Sequence, residues 1–158
     1  MGGAITDEDP ATEGAGNENL VGGDIRVTAT SGDIGASGDG AIDTAATNLD
    51  AQATSGSIYI DESDGVAVGR IDAGTNAIVL TTGGTITDKD IAAEGAGNEN
   101  LVGGDIRVTA TSGNIGASGD GAIDTAATNL DAQATGGSYR HQGGRHRRAD
   151  HQRRYFHR

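Results

Sequence analysis

The sequence predicts an all-β fold, a parallel β-helix (β-solenoid) in which short strands wind into stacked turns. Alternating apolar and polar residues recur in short runs, a Gly-containing dipeptide follows each run, and the pattern repeats along the chain. Large side chains are scarce, since 28 of the 158 residues are Gly and only four are aromatic. Ile, Val, Leu and Ala must therefore fill the core, which suits a thin core repeated along an axis.

An 81-residue repeat organises the chain. Residues 2–57 and 83–138 align without gaps at an offset of 81 and differ at six of 56 positions. The six differences are Ala4/Thr85, Glu8/Lys89, Pro10/Ile91, Thr12/Ala93, Asp33/Asn114 and Ser55/Gly136. The sequence therefore predicts a first repeat over residues 2–82, a second, truncated repeat over residues 83–138 and a basic tail over residues 139–158.

The recurring unit is clearest in Ile25–Ile34, IRVTATSGDI. An alternating run ends at Ser31-Gly32, and an apolar residue resumes the pattern at Ile34. The Gly-containing dipeptides are 24–29 residues apart, a step that would hold one turn of a β-helix with or without an excursion. Further short strands are predicted at Ile42, Ile58–Ile60, Val66–Val68 and Ile78–Leu80.

An antiparallel β-sandwich in each repeat is the alternative fold. A two-residue Ser-Gly or Gly-Gly link between alternating runs is also a hairpin signal, and about seven strands would complete one sandwich per repeat. The β-helix is favoured because the same unit recurs several times within each repeat, as stacked turns do. Thr44–Ala51 is the best helical candidate, but the alternation of Leu49, Ala51 and Ala53 favours strand or coil.

Three phrases resemble the repeats of filamentous-haemagglutinin-like proteins, which are giant repetitive bacterial surface adhesins. They are LTTGGTITD (Leu80–Asp88), IRVTATSGDIGASGDGAIDTAATNLDA (Ile25–Ala51) and SGSIYIDESDGVAVG (Ser55–Gly69). The resemblance implies a right-handed parallel β-helix, export to an extracellular or cell-surface location, and a role in attachment or cell-surface structure. The opening residues lack the features of a signal peptide, so we expect an export signal to lie outside this chain.

Charge separates the repeats from the tail. Residues 1–138 contain 22 acidic and four basic residues, a net charge of −18, whereas residues 139–158 have a net charge of +6. The acidic part is expected to repel nucleic acid and anionic membranes, and no apolar run is long enough to span a membrane. The expected partners are neighbouring repeats of the same chain, and host or surface glycans or proteins. The absence of Cys excludes disulfides and Cys-based metal sites.

Two groups of turn carboxylates are candidates for calcium binding, because hard cations prefer several oxygen ligands on a tight turn. They are Asp61–Gly65, and Gly38–Gly40 with Asp43, which recurs as Gly119–Gly121 with Asp124. Neither group fits the helix–loop–helix calcium motif or the tandem nonapeptide of calcium-binding β-rolls. The sequence therefore predicts no cofactor, with a calcium-responsive extracellular module as the alternative function.

A polysaccharide-active β-helix enzyme is the second alternative. Such catalysis needs paired carboxylates in a cleft, often beside a basic residue. Most carboxylates here are dispersed and occur again in the second copy, although Arg70 and Asp72 lie in the part of the repeat that occurs once. The serines of the repeats have no His before His141, so a Ser-His-Asp triad lacks support. No residue is therefore assigned as catalytic, cofactor-binding or metal-binding.

The tail concentrates the basic residues. Ser138–Arg158 holds all four His and seven of the eleven Lys and Arg residues, and its His spacings of five, five and six fit no zinc motif. GC-rich codons for Ala and Thr, read one base out of register, give Arg and His. We therefore interpret the tail as a frameshifted end of the repeat. A disordered tail without function and a basic binding arm are the alternatives.

Overall fold

The computed structural model describes residues 3–10, 16–92 and 96–143. Within these residues the chain forms nine β-strands and a short 3-10 helix at Gly119–Gly121, and none of them lies in an α-helix. The strands are β1 (Leu20–Ala29), β2 (Ile42–Ala53), β3 (Ile58–Glu62), β4 (Val66–Asp72), β5 (Ile78–Thr82), β6 (Ile86–Asp88), β7 (Leu101–Ala110), β8 (Ile123–Ala134) and β9 (His141–Gly143).

All pairings between these strands are parallel. Ile58 of β3 pairs with Ile78 of β5, so one basic turn of the coil runs from Ile58 to Ile78. About five turns stack along one axis. The prediction of a parallel β-helix is confirmed. The antiparallel sandwich is wrong, because the Gly-containing links turn corners between faces of the coil and do not close hairpins.

Inward-facing residues of successive turns stack in columns that form the core. Column A consists of Ile5, Ile34, Ile58, Ile78, Ile106 and Leu130. Column B, on the next face of the coil, consists of Val66, Ile86, Ile115 and Tyr139. Most members of both columns are buried. Each buried Ile or Leu side chain contributes roughly 1.5–3 kcal/mol, so stability is distributed along the axis.

Backbone hydrogen bonds follow a fixed direction in this stack. The N–H of the inward-facing Ile34 donates to the carbonyl of Ser57 in the following turn at 2.9 Å. The N–H of the outward-facing Tyr59 donates to the carbonyl of Ile34 in the preceding turn at 2.8 Å. Inward-facing residues thus bond to the following turn and outward-facing residues to the preceding one. On the side of a turn that faces the following turn, inward-facing residues therefore offer their N–H and carbonyl groups. On the side that faces the preceding turn, outward-facing residues offer theirs.

Insertions make some turns longer than the basic turn from Ile58 to Ile78. In column A, bridges join Ile5 to Ile34 and Ile34 to Ile58, so the first two turns each contain more residues than the third. One insertion is the loop Gly35–Ala41, in which the N–H of Ala36 donates to the carbonyl of Gly40 at 2.6 Å. The dipeptide spacing in the sequence therefore reports turns together with their insertions.

The two copies of the repeat occupy different faces of the coil. In the first copy Ile5, Ile34 and Ile58 lie in column A, whereas the residues 81 positions later, Ile86, Ile115 and Tyr139, lie in column B. After Ile5 the chain returns to column A three times, at Ile34, Ile58 and Ile78. The counterpart of Ile5, which is Ile86, follows on the next face, in column B. One copy therefore spans more than three turns, but not a whole number of them.

The coil continues across both boundaries that the sequence suggests. Strands of the first repeat pair with strands of the second, as β5 does with β7 and β4 with β6. Tyr139 forms a bridge with Ile115, and β9 pairs with the start of β8, so residues 139–143 add to the stack. Residues 144–158, and with them the frameshift interpretation, lie outside the described residues.

Two glycines of the Gly35–Ala41 loop separate the effect of backbone conformation from that of space. Gly35 has a φ of +70° and Gly38 a φ of +72°. A Cβ at Gly35 would collide with the carbonyl oxygen of Tyr59, whereas a Cβ at Gly38 would meet no atom within 4 Å.

We expect Gly35→Ala to lower the free energy of unfolding by about 3 kcal/mol, because left-handed strain and overpacking add together. Gly38→Ala, the matched control, should lower it by about 1 kcal/mol from strain alone. Urea denaturation followed by circular dichroism measures both values. Equal losses would show that the close contact between turns at Gly35 is unimportant.

Candidate functional site

The predicted carboxylate cluster at Asp61–Gly65 is divided between the inside and the outside of the coil. Asp61 is half-buried and faces outward on β3, and Asp64 is exposed at the following corner. Glu62, between them, is only 3% exposed. Because neighbouring residues of a strand point to opposite faces, Asp61 and Glu62 cannot hold one ion from adjacent positions.

Glu62 uses its carboxylate to join β3 to β2. Its Oε2 accepts a hydrogen bond from the hydroxyl of Thr44 at 2.6 Å, and both carboxylate oxygens lie 3.1 Å from the backbone nitrogen of Ala46. Thr44 is fully buried. These donors compensate the burial of the charge. The sequence DESDG is typical of a turn, so this role of Glu62 was not predicted. The signal was the alternation of Glu62 with Ile58 and Ile60.

Asp61 lies beside a second carboxylate, that of Asp43, with which it pairs between β3 and β2. Burial raises the pKa of Asp61, a hydrogen bond with the side chain of Thr81 opposes that rise, and the nearby charge of Asp43 adds to it. The folded protein therefore disfavours the ionised form of Asp61. Two stacked carboxylates of this kind are a local source of repulsion between turns.

The second candidate group, Asp39 with Asp43, also separates. Asp39 is exposed in the loop, whereas Asp43 is buried on β2, where its backbone N–H donates to Oδ1 of Asn19 at 2.8 Å. The second copy repeats this arrangement, with the N–H of Asp124 donating to Asn100 at 2.9 Å. Among the residues that the structure describes, no three His, Asp or Glu side chains are grouped so that they could hold a metal ion. The absence of a cofactor stays a prediction, with calcium binding as its alternative.

Arg70, the candidate basic partner of an enzymatic site, holds the segment that precedes β7. Its Nη2 lies 3.0 Å from Oδ2 of Asp72, and its Nη1 donates to the carbonyls of Gly97 and Glu99 at 3.3 Å each. Its side chain is 42% exposed. The guanidinium thus donates to the backbone of its own chain and holds Gly97 and Glu99 against β4.

Side chains on the outside of the coil form further links between successive turns. Oδ1 of Asp33 accepts a hydrogen bond from the backbone N–H of Ser57 at 2.6 Å. In the second copy Asn114 replaces Asp33, and its Oδ1 accepts from the N–H of Ser138 at 2.7 Å. One of the six differences between the copies thus preserves the same contact, because Asp and Asn both offer a side-chain oxygen.

Two edges at the ends of the coil are not covered by any described residue. One belongs to β1, and the other to residues 129–134 of β8. Leu49 pairs with Val68 of β4 and is fully buried, whereas its counterpart Leu130 is only partly buried. A depression of about 270 Å³ adjoins Leu130, between the last three turns of column A. These edges expose apolar surface that the same sequence buries elsewhere in the coil.

Comparison of the chain with protein-family models, with curated proteins and with solved structures gives no match. No helix in the described part of the chain is long and apolar enough to cross a membrane.

Truncation of the Glu62 side chain is expected to cause a large loss of stability. Glu62→Ala leaves the Thr44 hydroxyl and the Ala46 N–H buried without their acceptor, and we expect the free energy of unfolding to fall by about 3 kcal/mol. Asp64→Ala, an exposed neighbour, should change it by no more than about 0.5 kcal/mol. Urea denaturation provides both values. Similar losses for the two variants would contradict the assigned role of Glu62.

Because the pKa of Asp61 is raised, replacing its carboxylate with a neutral side chain should stabilise the folded protein, and the gain should depend on pH. Burial penalises the ionised carboxylate of the folded protein. The penalty is therefore absent at low pH, where the carboxyl is protonated in both the folded and the unfolded protein, and it appears as the pH rises and the carboxyl ionises. Asp61→Asn should therefore have a higher Tm than the wild type at about pH 7 and the same Tm at about pH 3. Thermal melts at the two pH values test this. A difference in Tm that is equal at both would refute the electrostatic cause.

Proposed function

We propose that this chain is a structural and adhesive repeat segment of a large exported bacterial surface protein and has no catalytic activity. The observation that supports the proposal is the direction of its polar side chains. Among the described residues of both copies, they bind neighbouring turns of the coil and do not converge on a cleft. An enzyme concentrates its polar groups at one site, whereas a rod needs them distributed between neighbours.

The duplicated contacts carry this argument. Asn19 and Asn100 accept from the same backbone position one turn later, and Asp24 and Asp105 both accept from an Asn side chain one turn later, at 2.7 and 2.6 Å. Contacts that recur in each copy stabilise the stack wherever the copy occurs. This property suits a protein whose length is set by the number of repeats.

Lys89 adds a longer link across the outside of the rod. Its Nζ lies 3.1 Å from Oδ2 of Asp50 and 4.0 Å from Oδ1 of Asp24. It reaches them over Gly69, where a Cβ would collide with the carboxylate of Asp50 and contact the Lys89 side chain. The first copy has Glu8 at the equivalent position. One cation, which follows β6, thus joins β1 and β2 to a later turn of an otherwise acidic surface.

Adhesion would occur through the outward-facing residues of the faces and through the exposed loops. The outer surface is rich in Thr, Asn, Asp and Gly, which offer hydroxyl, amide and carboxylate groups to polar ligands such as glycans. A flat row of such groups, repeated at the spacing of stacked strands, gives many weak contacts. Their sum provides avidity without a deep pocket.

Surface labelling tests the proposal in the organism that encodes the chain. An antibody raised against the folded chain is expected to label intact cells, because an exported rod is accessible from outside. Permeabilised cells and an antibody against a cytosolic protein provide the controls. Labelling only after permeabilisation would refute the surface location. Labelled cells whose attachment to glycan-coated and protein-coated surfaces is unaffected by the antibody would refute the adhesive role.

A further inference from the structure

The two uncovered edges of the coil are complementary in their backbone groups. Inward-facing residues offer their N–H and carbonyl to the following turn, so the C-terminal edge, residues 129–134, offers those of Leu130, Ala132 and Ala134. Outward-facing residues offer theirs to the preceding turn, so β1, the N-terminal edge, offers those of Arg26 and Thr28. The C-terminal edge and the N-terminal edge therefore offer the two complementary sets of N–H and carbonyl groups that pair between parallel strands.

The apolar side chains of the two edges also match. Inside the chain, Ile25 of β1 stacks against Leu49 of β2 in parallel register. Leu130 is the counterpart of Leu49 and belongs to the C-terminal edge. Contact between the two edges would therefore bring together IRVTA and LDAQA, the same two sequences that already pack as neighbours, in the opposite order along the axis.

Exposure shows what such a contact would bury. Ile25 at the N-terminal edge is only partly buried, whereas its counterpart on β7, Ile106, pairs with Ile78 of β5 and is 2% exposed. Leu130 at the C-terminal edge is partly buried, whereas Leu49 is 0% exposed. The sequence is identical in each comparison, so the difference comes from the presence of a neighbouring turn. Covering both edges at once would bury both sets of side chains.

Charge favours the same register. Asp131 faces outward at the C-terminal edge with its side chain 72% exposed, and Arg107 in the turn below lies 3.5 Å from it. Pairing of Leu130 with Ile25 of a second copy would place Asp131 beside Arg26 of that copy. This arrangement repeats the register in which Arg107 pairs with Asp131 and Arg26 with Asp50 inside the chain.

We propose that the chain binds a second copy of itself end to end, with the C-terminal edge of one copy pairing in parallel with β1 of the next. The contact joins two different surfaces, so each added copy leaves one edge of each kind free and the assembly can grow into a filament. The backbone ladder supplies the bonding, and Ile25, Leu130 and the pair of Arg26 with Asp131 fix the register. This proposal does not depend on the proposed surface location.

Proline substitutions on the full chain test each edge separately. Ala132→Pro removes an N–H from the C-terminal edge, and Thr28→Pro removes one from the N-terminal edge. Both N–H groups face the uncovered side, where Pro is tolerated in an edge strand. Sedimentation velocity over a concentration series should show wild-type mass rising with concentration, whereas each variant alone remains a monomer. Circular dichroism should show the β signal of the wild type in both variants.

Mixing the two variants gives the decisive result. Ala132→Pro retains a working N-terminal edge and Thr28→Pro a working C-terminal edge, so the mixture should form dimers and nothing larger. A wild type that stays monomeric at every concentration, as it would if residues 144–158 covered the C-terminal edge, overturns the proposal. Self-association of either variant alone overturns it too, because one edge would then be pairing with itself.

Arg26→Glu keeps the test decisive if a Pro variant fails to fold. The substitution would place like charges at Arg26 of one copy and Asp131 of the next, and we expect the dissociation constant to rise on the order of tenfold. Arg70→Glu, on β4 inside the stack and away from both edges, is the matched control for altered net charge. Equal weakening by both substitutions would overturn the proposed register.

Discussion

Parallel backbone pairing between successive turns is the constraint on which the rest of this structure depends. Each turn satisfies half of its backbone groups through the turn before it and half through the turn after it, so no turn is complete alone. The glycines at the corners allow neighbouring turns to approach closely enough for this pairing. A Cβ at Gly56, for example, would collide with the backbone of Gly32 in the preceding turn. Stability is then a sum of contacts between nearest neighbours.

Polar side chains serve the same constraint. Glu62 is buried because Thr44 and Ala46 of the neighbouring turn provide its donors. Asn19 and Asn100 are likewise acceptors, for backbone N–H groups of β2 and β8 one turn later. Positions that would suggest a binding site in a compact enzyme thus act as links along the axis. The replacement of Asp33 by Asn114 is tolerated because the link requires a side-chain oxygen and no charge.

The sequence was sufficient to predict the class of fold, because alternation and corner glycines report strand and turn independently of context. It could not reveal the length of the basic turn, since insertions such as Gly35–Ala41 separate the dipeptides that mark the corners. Alternation with Ile58 and Ile60 would place Glu62 inside, but the sequence could not show that β3 extends to Glu62, because a carboxylate in DESDG is equally suited to an exposed turn. Nor could it show that Thr44 stands opposite Glu62, because the register between β2 and β3 is a property of the stack and not of either strand.

The offset between the repeat and the coil affects how the molecule meets its surroundings. The loop Gly35–Ala41 follows Ile34 in column A, whereas its copy, residues 116–122, follows Ile115 in column B. Identical loops therefore leave the rod at different azimuths. In an array of many copies, as the proposed function assumes, the loops would form a spiral and present the same side chains in every direction about the long axis. A flat bivalent partner could not grip two adjacent copies, and the bulk of the loops would be balanced around the axis, which favours a straight rod over a curved one.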